Sequence, residues 1–177
     1  MKRMLSDESK SDYVHRIRDD LGLTMVGRGF NAHVFQHPAI DDMVVKVVVD
    51  HDKGYFYYFR WVLKNQNNPF VPKIYDIRKI QCTNPEADGP KYSIIFMEKL
   101  EHIDDYEYHE FMAEMECIDP KHYTTDDIAH ARDHSRNDHL RAVLTHLMNR
   151  PTSIDFHKGN FMKRGKQIVI IDPLVGC

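Results

Sequence analysis

Apolar positions first recur at helical spacing. Val14, Ile17 and Leu21 lie in the otherwise polar stretch from Ser6 to Leu21. This predicts a short amphipathic helix ended by Gly22. The period then shortens. Leu23 to Val26 and His33 to Gln36 read as strands broken by Gly27-Arg28-Gly29, and Pro38 with Asp41-Asp42 marks the next turn. Val44 to Val49 is the most β-branched stretch, nearly all apolar with Lys46 inside it, as expected of a buried strand. Tyr55, Tyr58, Phe59 and Val62 give Gly54 to Gln66 a helical period, and Pro69 and Pro72 punctuate its exit. Lys73 to Ile80 and Tyr92 to Met97 read as two further strands, with Asn84 to Pro90 as a surface loop between them.

Tyr108, Phe111 and Met115 then form a weak helical stripe. Thr124 to His134 reads as a helix capped by Thr124 or Thr125, with Asp126 and Asp127 in its first turn. Leu140, Val143, Leu144 and Leu147 mark another helix, stopped by Pro151. A hairpin closes the pattern: Phe161 to Lys163, a turn at Arg164-Gly165, then Ile168 to Ile171. Strands come first and helices second. The expectation is an α+β arrangement in two lobes, an antiparallel-sheet lobe over 1–97 and a reduced, mainly helical lobe over 98–177.

Composition narrows the function classes. The chain has 177 residues, and 24 Lys plus Arg against 27 Asp plus Glu give a net charge of −3. That length suits one domain or two small lobes. A duplex-DNA reader is usually basic, so stable nucleic-acid binding is not expected. No apolar run approaches the roughly 20 residues needed to span a membrane, and the N-terminal residues lack the apolar core of a signal peptide. Cys82, Cys117 and Cys177 are odd in number and far apart, which suits a reducing cytosol. Residues 98–119 carry nine carboxylates and one lysine, a solvated face or a surface that steers a basic partner.

Three constellations could carry chemistry. The first is Gly27-x-Gly29-x-x-Ala32-x-Val34. It reads either as a hairpin turn needing positive φ or as a turn whose backbone amides cover nucleotide phosphates. Its place between two strands argues against a dinucleotide fingerprint or a Walker loop. The second is Lys46, 12 residues after Val34. It either faces solvent on a polar sheet face or reaches α- and β-phosphates. The third is Asp155-x-x-x-x-Asn160, followed 12 residues later by Asp172-Pro173. A carboxylate beside a nucleophilic hydroxyl and hard oxygen ligands for magnesium are what phosphoryl transfer requires. Taken singly, these are also ordinary turn and strand-end residues.

The ordered set resembles the protein-kinase fold. Asp155-x-His157-x-Gly159-Asn160 resembles the catalytic loop of kinase-like phosphotransferases, including aminoglycoside and choline kinases. A fuller likeness, over roughly residues 20–175, is to the early serine/threonine protein kinases of T-seven-type lytic bacteriophages. It rests on Gly27-Arg28-Gly29-Phe30, His37-Pro38, Phe70-Val71-Pro72-Lys73-Ile74-Tyr75-Asp76, the run Ser153 to Met162, and Ile171-Asp172-Pro173. The resemblance implies ATP and magnesium as cofactors. Gly27, Arg28, Gly29, Phe30 and Val34 would cover the nucleotide, and Lys46 would hold its phosphates. Met97 would guard the back of the adenine pocket, with the Glu98 to Leu100 backbone facing the adenine edge. Asp155 would be the catalytic aspartate, and Asn160 and Asp172 the metal ligands. It further implies phosphorylation of host proteins, transcription machinery among them, and of the chain itself, in the cytoplasm of an infected bacterium.

The chain departs from the kinase pattern in places. Between Lys46 and Asp76 there is no glutamate to pair with the lysine; the carboxylates close behind it are Asp50 and Asp52. Ser153-Ile154 stands where His-Arg is usual, and Pro173-Leu174 where Phe-Gly is usual. Five residues follow Asp172, so no activation segment or large helical platform is expected. Two other functions stay open: a catalytically weak kinase-like protein that binds and inhibits a host factor, and a small-molecule phosphotransferase. Among 12 histidines, His130 and His134 share a helix face, with His122, His139 and Cys117 as further zinc candidates. The absence of Cys-x-x-Cys or His-Glu-x-x-His favours solvated histidines. The aromatic run Tyr55 to Trp61 reads as core, and His157 as a residue that shapes its loop.

Overall fold

The computed structural model describes residues 10–29, 32–49, 52–80, 92–115, 124–150 and 153–174. Phe30, Asp50, the Asn84 to Pro90 loop, His122, Pro151 and all three cysteines lie outside them. The elements in chain order are α1 (Lys10–Asp20), β1 (Thr24–Arg28), β2 (Ala32–His37), β3 (Ile40–Val49), α2 (Lys53–Lys64), β4 (Ile74–Ile80), β5 (Tyr92–Glu98), β6 (Glu101–His102), α3 (Asp105–Glu114), α4 (Thr125–His134), α5 (Asp138–Met148), β7 (Phe161–Arg164) and β8 (Gln167–Ile170). A single 3-10 turn, Lys158–Asn160, precedes β7. Among the described residues no helix is long and apolar enough to cross a membrane.

The chain divides into two compact units, 1–52 with 73–99, and 53–72 with 100–177. Where the sequence suggests one boundary near residue 97, the units interleave, and α2 belongs with the later helices. Periodicity identifies the apolar face of a helix. It does not say what that face packs against.

The first unit is a five-stranded antiparallel sheet in the order β1-β2-β3-β5-β4. Val14 and Ile17 of α1 join Leu23, Phe35, Val45, Val47, Tyr92 and Ile94 in one buried cluster, with Phe96 packed against it. The helix stops as expected. Gly22 has φ 61°. Its N–H donates to Asp19 O (3.3 Å), and the Leu23 N–H donates to Arg18 O (2.8 Å), which satisfies carbonyls that the helix end would otherwise leave open.

Two turn expectations need correction. Gly27 and Arg28 do not break β1; they pair with Val34 and His33, after a bulge between Met25 and Gly27. Asp41 and Asp42 lie inside β3, and the turn sits at Pro38-Ala39. There the Ala39 N–H donates to His37 Nδ1 (3.1 Å), and Gln36 Nε2 donates to Ile40 O (2.6 Å).

The second unit carries four helices and the three-stranded sheet β6-β7-β8. Tyr108 and Phe111 of α3 pack around Phe161, as does Phe156, with ring centroids 5.8, 5.7 and 5.3 Å from it. The final hairpin turns at Gly165-Lys166, one residue later than expected, because Gly165 takes φ 59°. Strand β6 was not foreseen; two residues are too few to show a period.

Thr124 caps α4 with a reciprocal pair. The Asp127 N–H donates to Thr124 Oγ1 (3.3 Å), and the Thr124 N–H donates to Asp127 Oδ2 (2.6 Å). Thr124→Ala should therefore cost about 1 kcal/mol in urea unfolding. The Thr124 backbone N–H, then its hydroxyl, hold the Asp127 carboxyl below its ordinary value. The carboxylate's share of the capping contribution is thus complete above the ordinary carboxyl pKa of about 3.9 and is lost as pH falls through the lower folded value. Alanine keeps the backbone N–H bond to Asp127 and loses both hydroxyl contacts, of which only the one to the Asp127 carboxylate (2.9 Å) titrates. The difference between wild type and variant should stay constant from pH 7 to 5, fall in part below about pH 4, and keep the share that comes from the Asp127 N–H. No difference at pH 7 would exclude the Thr124 hydroxyl as a cap.

Candidate functional site

In the first unit the strand register sets the site residues. Gly27 is opposite Val34, Val34 opposite Lys46, and Lys46 opposite Ile95. Cross-strand partners point to the same sheet face. Val44 and Met97 form the next row on that face. Val34, Lys46, Ile95 and Met97 thus share one face, while Phe35, Val45, Val47 and Ile94 share the other, with α1. Lys46 is only 8% exposed. The solvent-facing reading of Lys46 is therefore excluded.

The glycine-rich hairpin also departs from its bland reading. Among the described glycines, positive φ occurs only at Gly22 and Gly165, so neither Gly27 nor Gly29 is held there by a left-handed turn. A Cβ at Gly27 would lie 3.6 Å from Val34 Cβ, and one at Gly29 would meet open space. The hairpin is closed by the Gly29 N–H donating to Ala32 O (2.9 Å).

After Met97 the backbone is pinned. The Glu98 N–H donates to Lys73 O (3.0 Å), and the Lys99 N–H to Asp42 O (2.8 Å). The Glu98 side chain is buried, and its Oε1 accepts the Lys73 N–H (2.7 Å). Sequence reasoning considered only the backbone of Glu98; its carboxylate is a strut between β5 and the start of β4. Leu100 is buried and belongs to the second unit.

In the second unit the loop Asp155 to Asn160 is built from backbone outward. The Asp155 N–H donates to Pro173 O (2.8 Å), and the Ile171 N–H donates to Asn160 O (2.9 Å). The two residues flanking Asp172 are therefore hydrogen-bonded to the loop carrying Asp155 and Asn160. Asn160 is buried, and its Nδ2 donates to Asp155 O (2.8 Å). That bond uses the donor end of the amide and leaves Oδ1 as its acceptor end. Below the loop, Tyr108 Oη donates to the carbonyl of buried Phe156 (2.7 Å). Lys158 pairs with Asp105 of α3 (2.6 Å), and Lys163 with Glu107 (2.6 Å).

Helix α2 supplies a residue that the sequence reading missed. Tyr58 is 1% exposed, and its hydroxyl donates to Ile170 O (2.9 Å), at the end of the strand leading to Asp172. Burial, then the negative charge of Asp172, push the Tyr58 phenol well above its ordinary pKa. Its signal was present in the sequence: a tyrosine in a buried helical stripe needs a partner for its hydroxyl. Other side chains join α2 to this unit. Asn68 Nδ2 donates to His139 O (2.8 Å), and Arg164 donates to Val71 O (3.1 Å).

No protein-family model matches the chain, and no curated protein matches it. A solved structure, the ternary complex of APH(2")-IIa with streptomycin and ATP, is similar at a TM-score of 0.39 and 15% identity, across 96% of this chain and 73% of that one.

Among the described residues no group of three or more His, Cys, Asp and Glu side chains could hold a metal ion, and two of the zinc candidates, His122 and Cys117, lie outside them. His130 and His134 do lie together, with centroids 4.0 Å apart and ring planes tilted by 33°, but His134 Nδ1 is hydrogen-bonded to His130 O (2.9 Å). The donors that the loop offers are of another kind. The Asn160 amide oxygen and the Asp172 carboxylate are hard oxygens, suited to an ion that keeps several waters. Of the run Tyr55 to Trp61, Tyr55, Tyr58 and Phe59 are buried as expected, while Phe56, Tyr57 and Trp61 are half-buried.

Proposed function

We propose that the chain is a phosphotransferase that moves the γ-phosphoryl group of ATP to a hydroxyl. The observation that carries this is the pair of backbone bonds tying the Asp155-Asn160 loop to both neighbours of Asp172. Asp155 orients the hydroxyl and takes its proton as the oxygen bonds to phosphorus and the bond to the ADP oxygen breaks. Asn160 Oδ1 and the Asp172 carboxylate would hold magnesium. When bound, that ion supplies charge neutralisation on the transferring phosphoryl group. Lys46 contacts the α- and β-phosphates, and Gly27, Arg28 and Gly29, with no side chain at either glycine, let backbone approach them; Val34 and Met97 offer apolar contact on the Lys46 face. Catalysis by such a set is positioning and electrostatics, with little covalent chemistry by the protein.

The finer reading is a kinase-like serine/threonine protein kinase of the phage type, acting on bacterial host proteins, transcription machinery among them, and on itself, in the host cytoplasm. The run Ser153 to Met162 with Ile171-Asp172-Pro173 supports it. The Asp155-x-His157 form of the loop favours a second reading, a small-molecule phosphotransferase. The lack of a glutamate on α2 favours a third, a weak enzyme that binds and inhibits a host factor.

Labelled ATP with magnesium, with and without bacterial lysate, tests these readings. Label on protein that Asp172→Ala abolishes is the expected result. Label only on small metabolites would select the second reading. No label at all, with partner binding intact in the variant, would sink phosphotransfer in favour of the third.

A further inference from the structure

His157 touches the candidate loop at both ring nitrogens. Its Nδ1 accepts the Gly159 N–H (2.9 Å), and its Nε2 lies 3.5 Å from Asp155 Oδ2. Its carbonyl accepts the Asn160 N–H (2.9 Å). Because Nδ1 is the acceptor, the neutral ring carries its proton on Nε2, the nitrogen that faces the carboxylate. The ring also covers Gly159 closely. A Cβ there would lie 2.7 Å from Cε1 and 3.0 Å from Nδ1 of His157, so any larger residue would displace the imidazole.

These contacts are not those of a core residue, since the His157 side chain is 62% exposed. An exposed imidazole gains little from burial and is held by polar contacts alone. The neighbouring cation does not compete for Asp155, because Lys158 is drawn to Asp105 on α3. Among the described residues, His157 is the side chain that reaches the Asp155 carboxylate.

We propose that His157 is a positioning residue, one imidazole that caps the turn carrying Asn160 and orients the Asp155 carboxylate. The inference rests on the phosphotransferase reading, and its two halves can be separated chemically. His157→Asn keeps an acceptor oxygen where Nδ1 stood but has no atom at the Nε2 position. His157→Gln places an amide near the Nε2 position and loses the cap.

The expected result is that His157→Asn keeps its thermal midpoint and its KM for MgATP, while kcat falls about 10- to 100-fold through misplacement of Asp155. His157→Gln should recover most of that kcat with a lower midpoint. Unchanged kcat in His157→Asn would overturn the proposal. So would losses in both variants that merely follow their midpoints. A second readout does not need activity. In protein labelled with 15N-histidine, the His157 ring should be the Nε2–H tautomer, and Asp155→Asn should shift its Nε2 resonance while leaving Nδ1 unchanged. A proton on Nδ1 would overturn the proposal whether or not the protein transfers phosphate. A wild type that transfers no phosphate yet gives the expected tautomer and shift would sink the phosphotransferase reading and leave the His157 geometry standing.

Discussion

Asp155→Asn is expected to stop phosphate transfer while leaving the fold almost untouched. The backbone of Asp155 does the structural work, through its N–H to Pro173 O and its carbonyl from Asn160 Nδ2. An asparagine keeps both bonds. The carboxylate contributes one contact, to His157 at 3.5 Å, between groups that remain partly exposed. Such pairs are worth about 0–1 kcal/mol, so the thermal midpoint should move by no more than about 2–4 °C. Loss of the proton acceptor should lower kcat by about 100- to 10,000-fold. Single-turnover transfer measured beside calorimetry separates the two effects. A variant that keeps its full rate would remove Asp155 from the chemistry. A variant that loses rate only in step with its midpoint would make the residue structural.

This contrast between main chain and side chain explains what was legible in the sequence. The spacing of Asp155, Asn160 and Asp172 is visible because the proposed phosphoryl transfer would dictate residue types in an order. The bonds that tie the loop to Ile171 and Pro173 are main-chain bonds, which almost any sequence could make, so nothing in the residues announces them. Helix ends were legible for the opposite reason. Gly22 and Thr124 act through their own conformational freedom and hydroxyl, over three or four residues. The strands that run through Gly27 and through Asp41-Asp42 were hidden. Glycine and aspartate favour turns locally, yet pairing with a neighbouring strand outweighs that preference. Tyr58 and Glu98 were missed because each partner is far along the chain, 112 residues from Tyr58 to Ile170 and 25 from Lys73 to Glu98.

Lys46→Met should lower transfer by about 100- to 1,000-fold, the usual effect of removing one charge-stabilising donor, in a protein that still folds. Lys46 stands in the middle of β3, between Val34 and Ile95, and is buried. Taking an ammonium from water costs several kcal/mol, and a buried ion pair often recovers no more than that. Methionine has nearly the same length and no charge, and it fits an irregular apolar space with little strain. Urea unfolding and labelled-ATP transfer, measured on the same variant, separate a role in the fold from a role in transfer. A loss of about 3–5 kcal/mol would mean that a buried carboxylate had been left unpaired, and that Lys46 serves the fold. Unchanged transfer would remove Lys46 from the nucleotide site. Stability held while activity is lost is the one outcome that a purely structural lysine cannot produce.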